Sequence, residues 1–244
     1  MKIHPCNQGS CEWEVLRSGK VTASELDRLV SPKGKVRTGD GPTTYLYEKL
    51  AERWLGRPLP SSMNLPVWAV EQGRILEEWA RPGFALETNT EVQQVGFITK
   101  EETGPMSLVG ASPDGLIGDN CGLEIKCPRL QTHIGYISEG VLPEDYVLQV
   151  QGSLYVTGFP QWKFYSYYRK VPSLILTIEP DPDIQDAIED ALAVFLGKYE
   201  DAWAKLIELN GGVTPPRQEK MVFAHEMRDG ETLPDENGII DTQY

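Results

Sequence analysis

The stretch "SPDGLIGDNCGLEIKCP" (112–128) decides how the rest of the chain is read. Alternation with a period of two places Leu123, Ile125 and Cys127 on one face of a strand, and Glu124 and Lys126 on the other. A half-buried strand with an ion pair turned toward water shows the same pattern. Asp114 is the added feature. Pro113 and Gly115 predict a tight turn that holds its carboxylate at a strand end, close to Glu124 on the neighbouring strand. Two carboxylates forced together repel unless one is protonated or a cation lies between them. With Lys126 beside them, a divalent metal is the economical answer.

Outward from this stretch the chain alternates between helical and strand periodicity. On the N-terminal side, "VTASELDRLV" (21–30) predicts a helix with Thr22 or Ser24 as N-cap. A basic, Gly-rich loop follows, "SPKGKVRTGDGP" (31–42), in which Lys33, Lys35 and Arg37 are candidates for contact with a phosphate backbone. Helical periodicity marks 43–56 and 64–81, each ending near Gly or Pro. The segments 92–99, 106–117 and 122–127 predict consecutive antiparallel strands. Beyond them, 143–158 predicts a helix with Pro143 at its start and Gly158 at its stop. Two strands at 161–169 and 173–179 come next, the second apolar enough to be central, and then a long amphipathic helix at 183–209. This pattern is α/β or α+β, a mixed central sheet flanked by helices. Residues 1–212 are expected to form one domain and 213–244 a polar, flexible tail with a short apolar piece, "MVFAH".

Composition bounds the function. A chain of 244 residues with 40% hydrophobic content buries an ordinary core without staples. No run approaches the roughly 18 apolar residues of a membrane span, and the start lacks the apolar core of a signal peptide, so the expectation is a cytoplasmic protein with no membrane partner. Cys6, Cys11, Cys121 and Cys127 lack the paired spacing of zinc sites and are expected to be free thiols. With only three histidines, a metal site would be built from carboxylates, which favours Mg²⁺ or Mn²⁺. The net charge of −13 argues against a phosphate-rich partner at first sight, but residues 181–244 hold 15 acidic against 5 basic side chains. The remainder is close to balance, so a DNA partner is compatible with it.

Asp114 followed by Glu124-Ile125-Lys126 is the arrangement of the PD-(D/E)XK nuclease superfamily. Five stretches in order, "QGSCEWEVLRSGKVTASEL", "GRILEEWAR", "GASPDGL", "GLEIKCP" and "YVLQVQGSLYVTG", resemble the phage lambda exonuclease family, also called the YqaJ-like viral recombinases. The resemblance covers roughly residues 7–210. It implies a Mg²⁺-dependent (Mn²⁺ also possible) 5′→3′ double-stranded DNA exonuclease of alkaline type that releases 5′-mononucleotides and leaves 3′ overhangs for single-strand annealing. The setting it implies is a phage or prophage protein in a bacterial host, forming a homotrimeric ring and paired with an annealing protein.

The same resemblance implies site roles. Asp114, Glu124 and the backbone carbonyl of Ile125 would hold the metal, with Glu77 supporting a second ion. Lys126 would orient or deprotonate the attacking water, with a pKa depressed by desolvation. Tyr146 and Gln149, at i and i+3, would reach the same site from one helix face. Gln151, which begins a Q-x-x-x-Y pattern with Tyr155, is a second candidate on that helix. Arg17 and Ser24 would bind the 5′-phosphate. His133 is expected to be a surface loop histidine without a role, and the aromatics of "WKFYSYY" to be core. Other readings are a RecB-like or iron–sulfur end-processing nuclease, which needs cysteines near both chain ends, a restriction endonuclease, and a catalytically silent DNA-binding module.

Overall fold

A computed structural model describes residues 1–59 and 67–215. The "MVFAH" segment, nearly all of the expected tail and the start of the helix expected at 64–81 lie outside the described residues. Helix α1 (Cys11–Arg17) is followed by α2 (Asp40–Leu55), α3 (Val67–Thr88), α4 (Leu130–Glu139), α5 (Glu144–Thr157) and α6 (Pro182–Leu209). The strands form two four-stranded mixed sheets. One has the order β1 (Lys2–His4), β3 (Phe97–Thr99), β4 (Val109–Ala111), β2 (Val21–Thr22). The other has β5 (Gly115–Ile117), β6 (Cys121–Lys126), β7 (Gln161–Ser166), β8 (Leu174–Ile178). The pairs β2/β4 and β6/β7 are parallel, and the others are antiparallel.

The α/β class with mixed sheets is the one expected, but the strands divide differently. The expected strand 106–117 opens as a 3₁₀ turn (Pro105–Leu108) and then splits into β4 and β5, which belong to different sheets. Residues 112–114, the "SPD" of the motif, are the link between them, because Pro113 cannot donate to a ladder. Of the segment 92–99, only Phe97–Thr99 is strand, with an isolated bridge from Gln93 to Leu116 across the seam. The segment expected as one helix over 21–30 is instead strand β2 followed by a 3₁₀ turn, Ala23–Arg28; Thr22 sits at its N-cap position without capping it. The parallel partner Val109–Gly110 holds Val21–Thr22 extended and so shortens the helical run.

Three further expectations change. Helix α3 continues through Pro82 to Thr88. Ala80 and Phe84 pack there on Leu123, Ile125 and Tyr165, and that burial offsets the hydrogen bond Pro82 cannot make. Strand β8 is at the edge, not the centre. Its apolar character comes from packing on both faces: Leu176 and Ile178 meet the main core and Ile175 the smaller one. His133 lies in α4, fully buried, with Nδ1 2.7 Å from Ser166 Oγ and Nε2 3.0 Å from the Pro172 carbonyl oxygen. The β6/β7 pair is parallel and needs a crossover, and α4 and α5 supply it, which places His133 over the strand ends rather than in a loop.

Helix α5 is central. Its residues from Val150 to Val156 are all buried, and it packs against the 3₁₀ turn, α6 and β4. Gly152 permits this. A Cβ there would collide with Leu26 Cδ1 and sit 3.2 Å from Ala23 Cα. The helix ends at Gly158 in the left-handed conformation (φ 71°). Trp162, Phe164 and Tyr165 of the aromatic segment are core. The four cysteines are free thiols.

Candidate active site

The carboxylates meet where the link 112–114 turns into β5. Asp114 donates its backbone N–H to Leu123 O at 3.0 Å, and its Oδ2 accepts the Ile125 N–H at 2.6 Å. Arg81 of α3 donates Nε to the Asp114 carbonyl oxygen at 2.8 Å, which fixes the turn from a second direction. One strand further in, Glu124 is 2% exposed. Its Oε1 takes two donors, Lys126 Nζ at 2.6 Å and Gln149 Nε2 at 2.5 Å. Tyr146, one turn before Gln149 on α5, lies with its ring 4.9 Å from Lys126 Nζ and packs on Phe164 and Tyr136. The i, i+3 relation thus brings Tyr146 and Gln149 to the same place.

Electrostatics follow from this crowding. Burial, then the charges of Glu124 and Glu77, push the Asp114 carboxyl well above its ordinary value. Burial also raises Glu77 of α3, with Glu124 adding to it and Lys126 and Arg81 opposing. Lys126 departs from the expectation of a depressed pKa. Burial alone would lower it, but Glu124 and Asp114 together outweigh burial and raise it above the usual lysine value. Both carboxylates thus favour the charged ammonium.

These groups suit a hard divalent cation. Asp114 Oδ1 and Glu124 Oε2 have no hydrogen-bond partner among the described residues. In a strand the N–H and C=O of one residue face the same edge, so the Ile125 carbonyl faces the edge at which its N–H meets Asp114. The donors are all oxygens, the set that Mg²⁺ or Mn²⁺ prefers. Among the described residues no three Asp, Glu, His or Cys side chains gather closely enough to hold an ion together, so Glu77 is within electrostatic reach without joining such a cluster.

A second constellation lies at the other end of the link. Ser112 Oγ accepts from Arg17 Nη1 at 2.9 Å and from Trp13 Nε1 at 3.0 Å, and the guanidinium stacks 4.3 Å from the Trp13 ring. With both lone pairs engaged, the Ser112 hydroxyl keeps its proton to donate. Burial lowers the Arg17 pKa, and no carboxylate among the described residues comes within ion-pair distance of it. Parallel pairing of Thr22 with Gly110 makes the chains leading to Ser24 and Ser112 leave the sheet at the same end. Ser24 is exposed and, with Arg37, Gln149 and the acidic Asp27, Glu144 and Asp145, lines a cavity of about 350 Å³. That cavity connects the Ser24 turn to the residue that holds Glu124.

Other candidates fall elsewhere. Lys33 and Lys35 are exposed on the loop and do not line this cavity, whereas Arg37 is anchored by its Nε to Asp27 O at 2.6 Å. Gln151 is turned away from the carboxylates. Its Nε2 donates to Glu179 O at 2.9 Å, while its Oε1 accepts from Asp181 N at 2.9 Å and Gln185 Nε2 at 2.8 Å. It fastens the β8–α6 connection to α5.

The YqaJ-like viral recombinase domain family matches residues 12–160. The chain belongs to this family. Among solved structures, the alkaline exonuclease LHK-Exo of Laribacter hongkongensis is 30% identical, with a TM-score of 0.70 covering 83% of this chain and 99% of that one. The same enzyme in complex with dAMP gives a TM-score of 0.69 at the same identity and coverage. A phage-related exonuclease from Haemophilus somnus 129PT, 14% identical, shares the fold with a TM-score of 0.56 over 77% of this chain and 96% of that one. A comparison with curated protein sequences found no match.

In this family member, two site residues were not singled out by sequence reasoning. Ser112 stands two residues before Asp114 inside the quoted motif, and Arg81 one turn after Glu77. Ser112 sits in the link between the sheets, yet a serine before proline is ordinary turn chemistry, and only its contact with Arg17 marks it.

Proposed function

We propose that the protein is a Mg²⁺-dependent exonuclease that degrades one strand of duplex DNA from a 5′ end, releases 5′-mononucleotides and leaves a 3′ overhang for recombination by strand annealing. The observation that carries this reading is the pair of constellations on one short link: Ser112 with Arg17 on one side of Pro113, Asp114 with Glu124 and Lys126 on the other. Two residues of chain span at most about 7 Å, the order of one nucleotide step. An anchor for a terminal phosphate one step from the hydrolytic groups favours removal of single nucleotides over internal cutting. The 30% identity with an alkaline exonuclease supports the same class.

The chain's residues divide the work. Arg17, the Ser112 hydroxyl and Ser24 bind the 5′-phosphate, and Arg37 offsets part of the negative charge that Asp27, Glu144 and Asp145 bring to the cavity wall. Lys33 and Lys35 meet the duplex backbone farther out. Lys126, whose Nζ lies 2.6 Å from Glu124 Oε1, orients or deprotonates the attacking water and balances charge in the transition state. Gln149 and Lys126 fix Glu124, and Ile125 N–H fixes Asp114, so both carboxylates are in place before substrate arrives. Bound Mg²⁺, or Mn²⁺, would polarise the phosphodiester and lower the pKa of the water, with a second ion near Glu77 completing a two-metal arrangement.

The family analogy extends to assembly as a homotrimeric ring, to a single nuclease domain over 1–212, to a cytoplasmic setting in a phage-carrying bacterium, and to an annealing partner contacting residues 213–244. Among the described residues no helix is long and apolar enough to cross a membrane.

The test is digestion of a linear duplex bearing a 5′-phosphate or a 5′-hydroxyl and a distinct label at each end, with Mg²⁺ and with EDTA. Metal-dependent release of mononucleotides from the 5′ end, faster from the phosphate, is expected. Internal cuts or loss from the 3′ end would shift the reading to an end-processing or restriction nuclease, and absence of any cleavage to a silent DNA-binding module.

A further inference from the structure

The turn that carries Ser24 rests on a buried ionic cluster that the proposed chemistry does not use. Lys49 of α2 is 5% exposed, and its Nζ lies 3.0 Å from Glu25 Oε1 and 3.0 Å from Glu52 Oε2. Glu52 Oε2 also accepts the Gly19 N–H at 3.1 Å, and Tyr199 donates its hydroxyl to Gly19 O at 2.9 Å. Glu25 Oε2 accepts the Thr22 hydroxyl at 2.7 Å and that of buried Tyr45 at 3.3 Å. Burial by itself would raise the Glu25 carboxyl, yet Lys49, the Thr22 hydrogen bond and Arg17 bring it below its ordinary value. Glu25 is thus ionised and can only accept.

The ionised Glu25 fixes the neighbouring hydroxyl protons. Thr22 has one hydroxyl proton, and Glu25 takes it. The Thr22 oxygen also lies 3.1 Å from Ser24 Oγ, and with its own proton committed it can only accept there. Ser24 therefore donates inward and turns its lone pairs outward, the wrong polarity for an anion. Ser112 is in the opposite state, with its lone pairs engaged and its proton available.

We infer that Thr22, held by Glu25, competes with the phosphate of a DNA 5′ end for the Ser24 proton and so limits how tightly that end is gripped. Thr22 and Glu25 are positioning residues that act through Ser24. The inference rests on the reading of Arg17, Ser24 and Ser112 as the phosphate cradle. A nuclease that removes one nucleotide at a time must bind and release a new terminal phosphate at every step. A cradle of maximal affinity would bind ground state and transition state alike and slow that advance.

The experiment measures binding of duplexes with a 5′-phosphate or a 5′-hydroxyl in EDTA, where cleavage is blocked, and reports the ratio of the two Kd values. Thr22→Val is nearly isosteric, Thr22→Ala removes the same hydroxyl with less bulk, and Thr22→Ser restores it. The valine and alanine variants are expected to raise the preference for phosphate by about three- to tenfold, the worth of one net hydrogen bond; the serine variant should match the parent. Ser24→Ala should lower the preference, and in that background Thr22→Val should change nothing, which a merely structural role for Thr22 would not produce. An unchanged or lower preference in both Thr22→Val and Thr22→Ala, with Ser24→Ala still impaired, overturns the inference and leaves the cradle standing. A parent with no preference for phosphate overturns the cradle and the inference together.

Discussion

Gln149 donates its side-chain amide to Glu124 Oε1 at 2.5 Å, the same oxygen that Lys126 holds. Gln151, two residues further along the same helix, makes no contact with the site and spends its amide on Glu179, Asp181 and Gln185. The two glutamines should therefore fail differently. Gln149→Ala removes a hydrogen bond that positions the buried Glu124; it should lower kcat by about 10- to 100-fold and also lower stability, by up to ~1.5–3 kcal/mol. Gln151→Ala should lower stability by ~2–4 kcal/mol through unsatisfied buried groups and leave kcat of the folded enzyme close to the parent. Thermal melts and steady-state kinetics on both variants separate the roles.

Asp114→Asn keeps an oxygen for the Ile125 N–H while removing one of the crowded negative charges. Activity should fall by at least about 100-fold. In EDTA the variant should melt at or above the parent, because the repulsion with Glu124 and Glu77 is relieved. Mg²⁺ should raise the Tm of the parent by linkage and leave that of Asp114→Asn unmoved. Calorimetry with and without Mg²⁺ reads this directly.

Gly152 lets α5 approach the Ser24 turn, with Leu26 and Ala23 where a Cβ would go. Gly152→Val should cost ~1–3 kcal/mol from overpacking. It should also lower the preference for 5′-phosphate ends, since Ser24 and Gln149 face one cavity from the two elements being pushed apart. Denaturant melts and end-specific digestion test the two halves of this expectation.

His4 pairs β1 to β3 and lies 3.1 Å, through Nε2, from Thr99 Oγ1. Burial, followed by Lys20 and Lys2, lowers its pKa below the ordinary 6.5. The unfolded chain thus takes up a proton first as pH falls. Stability is fully present above about pH 6.5 and declines as pH falls toward the folded pKa. His4→Gln should remove that component of the decline, seen in denaturant melts between about pH 7 and pH 5.

Much of the site was legible because its residues are close in sequence or fixed by periodicity. Glu124 and Lys126 share a face by the period of a strand, and Tyr146 and Gln149 share one by the period of a helix. Asp114 was readable from the turn chemistry of its neighbours. The failures are of another kind. Gln151 stands on the same helix as Gln149, but its role depended on where the β8–α6 connection passes. His133 resembled a loop histidine because a ten-residue helix between two longer signals is weak in pattern. Its burial comes from packing at the end of β7, against Ser166, Tyr168 and Pro172.

The sequence by itself determined the chemistry of the groups: two carboxylates and a lysine spaced for one strand and one turn, an arginine and a serine seven residues apart in the N-terminal part of the chain, and most of the longer helices. Only the tertiary structure decided which of these groups meet. The link 112–114 passes from one sheet to the other, so it places Ser112 against Arg17, which is 95 residues away in the chain, and Asp114 against Ile125. Tertiary contact also set the proton positions at Ser24, because the direction of a hydroxyl depends on the buried carboxylate behind it. Local spacing fixes faces, but partners across long separations are fixed by packing of the sheets, which no short-range pattern encodes.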